Sequence, residues 1–199
     1  IIVCPGAAAT ISRTDIDSHA EVIKQCKVLI TQLEQPIDAA EYALACARKA
    51  GATTILNPAP AAELPASMVA LCDFVTPNET EAEAITGITV NSPKDAVAAA
   101  EALLAKGAGG AIITLGENGC LHHDGSNSVH VPAINAGPVV ETTGAGDAFN
   151  GGFAAAIAEG RSPLEAIRFG TATAAISVTR PGTAPSMPTR EKIESVLRN

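Results

Sequence analysis

The chain has no tryptophan, one tyrosine and four phenylalanines in 199 residues, so it has few of the large aromatic side chains that anchor many protein interfaces. Charged residues make up only 17%, and their balance is acidic, with a formal net charge of −8. That excludes the basic surface needed for nucleic acid or an anionic membrane, and leaves local phosphate binding open. No run approaches the roughly 18 to 20 apolar residues of a membrane span, and the start lacks the basic region of a secretory signal, so a cytoplasmic protein is expected. Cys4, Cys26, Cys46, Cys72 and Cys120 include no Cys-x-x-Cys pair; reduced, buried thiols are expected rather than a zinc site. No Gly-Lys dipeptide is present to build a Walker loop, and Phe149 stands where a dinucleotide Gly-x-Gly-x-x-Gly motif would need its third glycine.

What is abundant is aliphatic. Hydrophobic residues make up 47% of the chain, enough for one well-buried core, and the richness in alanine and glycine suits closely approaching helices and strands. No internal repeat or linker divides the sequence, so residues 1–199 are expected to form a single domain. Ile1-Ile2-Val3-Cys4 reads as a buried strand with no Met before it, and the expectation is that further residues precede Ile1.

Periodicity then alternates. Ile16, Ala20, Ile23 and Cys26 recur at helical spacing, and Val28–Leu33 is short and β-prone. Pro36 is expected at the first position of a helix whose Ile37, Ala40, Leu44 and Ala47 share a face, with Gly51 ending it before a strand at Thr53–Leu56. A strand at Phe74–Thr76 precedes a helix from Asn78 to about Thr86. Ser92-Pro93 opens another helix, with Val97, Ala100 and Leu104 facing inward, and Ala111–Leu115 is the next strand. Gly119–His122 and Ser128–Val131, separated by Asp124-Gly125, form an edge hairpin, and helices at Gly146–Glu159, Pro163–Val178 and Thr189–Leu197 close the chain. The alternation predicts a three-layer α/β domain around a mainly parallel sheet, with ligands beyond the carboxyl ends of the strands.

The segment Glu141–Gly152 is the most informative. Gly144 and Gly146 allow backbone N–H groups to approach an anion at the positive end of the following helix, with the Asp147 carboxylate beside it as a proton acceptor. The competing reading makes Asp147 an N-cap and the glycines only a turn. Asn78-Glu79-Thr80-Glu81 has two readings as well. Asn78 and Glu81 suit a capping box, as do Ser162 and Glu165; equally, Glu81 suits a magnesium-bound water and Asn78 a phosphate contact. Thr114–Gly119 is either a hairpin turn or a close backbone approach to a ligand. Asn57-Pro58-Ala59-Pro60 is a rigid loop at a strand end, and Glu34 is notable only for its place at another. His122 and His123 are strand neighbours, which point to opposite faces and do not readily share an ion. His19 and His130 have no partner in sequence.

These segments, with Val178–Ser186, together resemble the ribokinase-like (PfkB) family of carbohydrate kinases over nearly the whole chain. The resemblance implies the three-layer αβα, Rossmann-like ribokinase fold, without about the first third of that family's proteins, the part that supplies the lid and much of the sugar pocket. It implies phosphorylation of a sugar hydroxyl by ATP, with D-ribose as the leading substrate. Asp147 would be the general base, and the backbone of Thr143, Gly144, Ala145 and Gly146 the anion hole. It also implies that Asn78, Thr114, Gly116, Glu117, Gly119, Gly146 and Thr171 serve the nucleotide, that Glu34 and Asp147 meet the sugar, and that Glu81 serves Mg2+ through water. A potassium-like ion would lie near Glu141, Thr143, Ser177, Arg180, Gly182 and Ser186, and the partners would be ATP, a small sugar and a second copy joined through the lid. The sequence departs from the family pattern where Glu141 replaces an Asp, Ala8 an Asn, and Thr171 a His. The alternatives are a nucleotide-binding piece without catalysis and a related family kinase acting on another sugar or nucleoside.

Overall fold

The structure, a computed structural model, describes residues 4–198. The first expected strand therefore lies outside the described residues, except for Cys4, which is exposed. The described residues fall into two compact units: one runs to Thr114 and includes Leu121–Val129, and the other comprises Leu115–Cys120 and the chain from His130.

In the first unit the helix expected around Ile16 and Ile23 is two short helices, α1 (Arg13–Ser18) and α2 (Ala20–Gln25), broken at His19. Strand β1 (Val28–Thr31) leads through a loop to α3 (Ile37–Lys49), which buries Ala39, Ala40, Ala43, Leu44 and Ala47. Pro36 sits one place earlier than expected: its ψ of 130° is extended, so it is the N-cap residue rather than the first helical one. Gly51, at φ +86°, turns the chain into β2 (Thr53–Leu56). A short helix that the proline-rich sequence concealed, α4 (Ala66–Val69), buries Met68 and Val69 before β3 (Phe74–Val75). Helix α5 (Glu79–Thr86) ends on Gly87 in the left-handed region, and α6 (Pro93–Ala105) is capped by Ser92 as expected.

The buried stripe of α6 is rotated from the expected one. Ala96, Ala99, Ala100 and Leu103 are buried, whereas Val97 and Leu104 are only half-buried. The expectation followed the larger aliphatic residues; small alanines fill the buried face instead, and they let a helix approach its neighbour closely. Strands β4 (Ala111–Thr114), β5 (Cys120–His123) and β6 (Ser128–Val131) complete a six-stranded sheet in the order β1-β2-β3-β4-β5-β6. The β1–β2, β2–β3 and β3–β4 pairings are parallel. The tight Asp124–Asn127 turn joins β5 to β6, and only an antiparallel pair accepts so short a connection.

The second unit holds α7 (Ala145–Ala158), α8 (Pro163–Ser177) and α9 (Arg190–Arg198). A Cβ on Gly152 would fall 2.9 Å from Thr173 Cβ, and one on Gly170 would fall 2.7 Å from the Phe149 carbonyl oxygen, so α7 and α8 meet at the distance that glycine permits. Phe149 and Phe153 stack beside this crossing with centroids 6.1 Å apart, and the guanidiniums of Arg161 and Arg190 lie over Phe169 at 4.7 and 5.5 Å.

The five cysteines are free, but only Cys72 and Cys120 are buried, which pushes each thiol up to about 12. The expectation of burial fails for exposed Cys4 and for half-buried Cys26 and Cys46, whose helix and loop positions face solvent on one side. Among the described residues, no group of three or more His, Cys, Asp or Glu could hold a metal ion, and no helix is long and apolar enough to cross a membrane.

Gly152→Ala, which must displace Thr173, is expected to lower stability by about 1–3 kcal/mol. Gly151→Ala, on the same helix with nothing within 4 Å of the added Cβ, is expected to raise it by up to about 1 kcal/mol. Urea unfolding midpoints of the two variants check this contrast.

Candidate active site

In the first unit the parallel strands bring their carboxyl ends to one edge. Glu34 follows β1 there and is exposed, in a loop tied to the next one by the Leu33 N–H, which donates to Ala59 O at 2.8 Å. The Asn57 side chain, at the end of β2, donates to Thr76 O at 3.1 Å. Asn78, after β3, pairs with Thr114 at the end of β4, whose N–H donates to Pro77 O at 2.9 Å. Asn78, Glu81 and Thr114 are thus brought together.

The capping box read at Asn78 is formed. Asn78 Oδ1 accepts from the Glu81 N–H at 2.9 Å, Glu81 Oε2 accepts from the Asn78 N–H at 2.9 Å, and Glu81 Oε1 accepts from Asn78 Nδ2 at 2.9 Å. Glu81 is only 7% exposed. Burial pushes its carboxyl above the ordinary value of 4.5, against the opposing pull of the Asn78 N–H. Each carboxylate oxygen keeps a lone pair beyond these bonds, so the cap does not exhaust the group.

In the second unit the turn before α7 has the form the sequence suggested, but Asp147 is not its cap. Gly144, at φ +79°, occupies the N-cap position without a side-chain bond, and Asp147 is the third residue of the helix. The Ala145 and Ala148 N–H groups donate to Thr142 O and Gly144 O, at 3.1 and 2.9 Å. Those of Gly146 and Asp147 find no acceptor among the described residues. The Asp147 carboxylate is exposed and has no hydrogen bond or ion pair among the described residues. Two free donors and a free carboxylate therefore share the positive end of a 14-residue helix. Asn150 donates to Gly146 O at 3.0 Å and steadies the turn from inside the helix.

Glu141 lies just before this turn, and its Oε2 accepts the Gly182 N–H at 2.7 Å. Ser177 and Ser186 are buried, with hydroxyls donating to Ala174 O at 2.8 Å and Thr183 O at 2.7 Å, while Thr143 is exposed and Arg180 half-buried. Thr171 is buried in α8, and its hydroxyl donates to Ile167 O at 2.9 Å. Gly116 and Glu117 are exposed in a 3-10 turn, and Gly119 has φ +86° and lies hard against the Val131–Ala133 backbone. His123 hydrogen-bonds Ser128 Oγ at 2.9 Å.

Sequence reasoning missed an open cavity of about 290 Å³ that Asp147 lines together with Gly151, Phe169, Thr173, Met187 and Arg190. Its walls come from α7, α8 and α9 and from Met187 and Pro188 just before α9. Arg190, one of the lining residues, also pairs with Glu159.

The sequence model of the pfkB family carbohydrate kinase matches residues 1–190. The chain belongs to this family. It is 41% identical to the ribokinase of Haemophilus influenzae over 199 residues, covering all of this chain and 65% of that protein. It is 39% identical to the deoxyribokinase of Salmonella typhi, covering 99% of this chain and 64% of that one. The chain thus spans a little under two thirds of the length of these relatives. Among solved structures, Arabidopsis thaliana ribokinase complexed with ribose and ATP superposes with a TM-score of 0.88 at 30% identity, covering 92% of this chain and 59% of that one. This pfkB family member therefore has the α/β architecture expected from its alternating strands and helices, and the ribokinase fold that the family resemblance implied.

The raised Glu81 value fixes the sign of a pH effect. The folded state holds the proton more tightly than the unfolded one, so the Glu81 contribution to stability is largest at low pH. It declines as pH rises from about 4.5 through the raised folded value. The stability of wild type relative to Glu81→Gln is expected to grow as pH is lowered from 7 towards 4.5. Denaturant titrations of both proteins across that range measure it.

Proposed function

We propose that this protein transfers the γ-phosphoryl group of ATP to a sugar hydroxyl, D-ribose to D-ribose 5-phosphate being the leading reaction, with Asp147 as general base. The observation that carries the reading is the opening of α7, where N–H groups of Gly146 and Asp147 that are free among the described residues stand beside a carboxylate that has no partner among them either. Asp147 would take the proton of the attacking hydroxyl. The two N–H groups would bind the transferred oxygens more strongly as charge spreads over them, which lowers the barrier rather than merely tightening ground-state binding. The family and the two sugar-kinase relatives support the class of reaction, and the ribose and ATP of the Arabidopsis complex support the pair of substrates. Deoxyribose comes next, on the strength of the Salmonella relative.

The donor sets fit the ions that such chemistry uses. Glu81, a buried carboxylate with lone pairs left over and an amide beside it, suits Mg2+ held through water, which when bound neutralises phosphate charge. Glu141 and the hydroxyl oxygens of Ser177 and Ser186 suit a large monovalent cation such as K+. Asn78, Thr114, Gly116, Glu117, Gly119 and Thr171 remain the proposed nucleotide contacts, and Glu34 a proposed sugar contact. We read residues 1–199 as the nucleotide-binding and catalytic portion of the kinase.

Turnover of a panel of pentoses with Mg-ATP is expected to show ribose or deoxyribose phosphorylation, and Asp147→Ala to lower kcat by about 10²–10⁴-fold. Unchanged turnover in that variant sinks the assigned base. ATP binding without turnover of any sugar supports the non-catalytic alternative.

A further inference from the structure

Glu141 does something in this structure that neither its position in the motif nor its charge announces. It is the residue from which the chain enters the turn that opens α7, and its side chain reaches 41 residues along the sequence to accept the Gly182 N–H at 2.7 Å. Two main-chain bonds join the same place: the Val140 and Glu141 N–H groups both donate to Val178 O, at 2.7 and 3.2 Å. The next residue after Gly182, Thr183, packs behind the turn. A Cβ on Gly144 would lie 3.2 Å from Thr183 Cγ2 and 3.3 Å from its Cβ. Gly144 is the residue that sets the direction of the Gly146 and Asp147 N–H groups.

The loop that provides this backing has little else to hold it. Pro181, Thr183, Ala184 and Pro185 are exposed, and the Gly182 backbone is left-handed at φ +83°. Internal bonds from the Ser186 N–H and hydroxyl to Thr183 O, at 3.1 and 2.7 Å, shape the loop but do not attach it to the α7 turn. The side-chain bond that does attach it comes from Glu141.

We propose that Glu141 is a positioning residue: its carboxylate clamps the Pro181–Ser186 loop behind Gly144 and so fixes the geometry of the N–H groups that receive the transferred phosphoryl group. The clamp rests on the kinase reading for its consequence, though not for its existence. What it requires is a hydrogen-bond acceptor at the right reach, not a negative charge. Glutamine keeps that acceptor and alanine removes it.

The test compares wild type, Glu141→Ala, Glu141→Gln and Asp147→Ala in the full-length protein, by steady-state kinetics and by hydrogen exchange at the Gly182 amide. Glu141→Ala is expected to lower kcat by about ten- to hundredfold with the sugar KM within about twofold, because displaced donors lose transition-state stabilisation. It is expected to speed Gly182 exchange by about ten- to hundredfold, the scale of losing one hydrogen bond to a charged group. Glu141→Gln is expected to recover most of both losses. A glutamine variant whose Gly182 amide exchanges as fast as in the alanine one would overturn the clamp. One whose Gly182 stays protected while kcat falls as far as in the alanine variant would assign the kinetic loss to charge, as for the proposed ion site, and would overturn the clamp's effect on catalysis. So would an alanine variant with wild-type kcat and wild-type exchange. If wild type phosphorylates no sugar, or Asp147→Ala keeps full activity, the kinase reading or its base fails, and the exchange measurement decides the clamp by itself.

Discussion

The parallel register of β1 to β4 constrains nearly everything in the first unit. Val28 to Thr31 lie level with Thr53 to Leu56, and the next two pairings continue in the same direction. A parallel ladder sends every strand out at one edge, so the segments after β1, β2, β3 and β4 must emerge side by side. The opposite edge is where the register is locked. Thr54, fully buried, donates its N–H to Asp73 Oδ2 at 2.8 Å and its hydroxyl to Leu71 O at 2.6 Å, and Arg48 from the end of α3 reaches Asp73 at 3.4 Å. Fixing the amino ends of β2 and β3 leaves their carboxyl ends to polar loops. Glu34, Asn57, Asn78 and Thr114 are found there for that reason.

The second unit depends on a different constraint, the close crossing of α7 and α8 at Gly152 and Gly170. With no side chain between them the two helix axes have little freedom to shift, and the start of α7 inherits that rigidity. Gly144 then makes the left-handed entry that a residue with a Cβ would resist, which turns the first N–H groups outward. A helix start held this way can offer fixed dipoles to an anion without reorganising, the property on which electrostatic stabilisation of a transition state rests.

Where the sequence was legible, the signal was local. Ser92, Asn78 and Gly51 mark helix ends by their own local preferences, and the strands at Thr53–Leu56 and Ser128–Val131 have the expected bounds. The resemblance to the family was likewise carried by short motifs at strand ends. What escaped was long-range. The stripe of α6 is chosen by what it packs against, so alanines outrank Val97 and Leu104. Helix α4 hid among Pro58, Pro60 and Pro65. Gly182 answers Glu141 across the whole of α7 and α8, and no spacing rule spans such a distance. The cavity beside Asp147 is likewise assembled from three helices and has no sequence signature of its own.

The two carboxylates singled out in the motifs, Glu81 and Asp147, occupy the same position, the third residue of a helix that follows a glycine- or asparagine-led turn, yet they are in opposite situations. Glu81 is buried, both its oxygens are bonded to Asn78, and burial holds its pKa above the usual range. Asp147 is exposed and unpartnered among the described residues. A carboxylate that orders the backbone must keep its bonds, and because burial disfavours its ionised form, a positive charge brought near it would favour ionisation and draw its raised pKa down. A carboxylate that exchanges protons with a solute must instead keep its oxygens free. The helix dipole is common to both sites, so the difference lies in the turn. Asn78 closes on its carboxylate, whereas Gly144, having no side chain, leaves Asp147 open to whatever binds beside it.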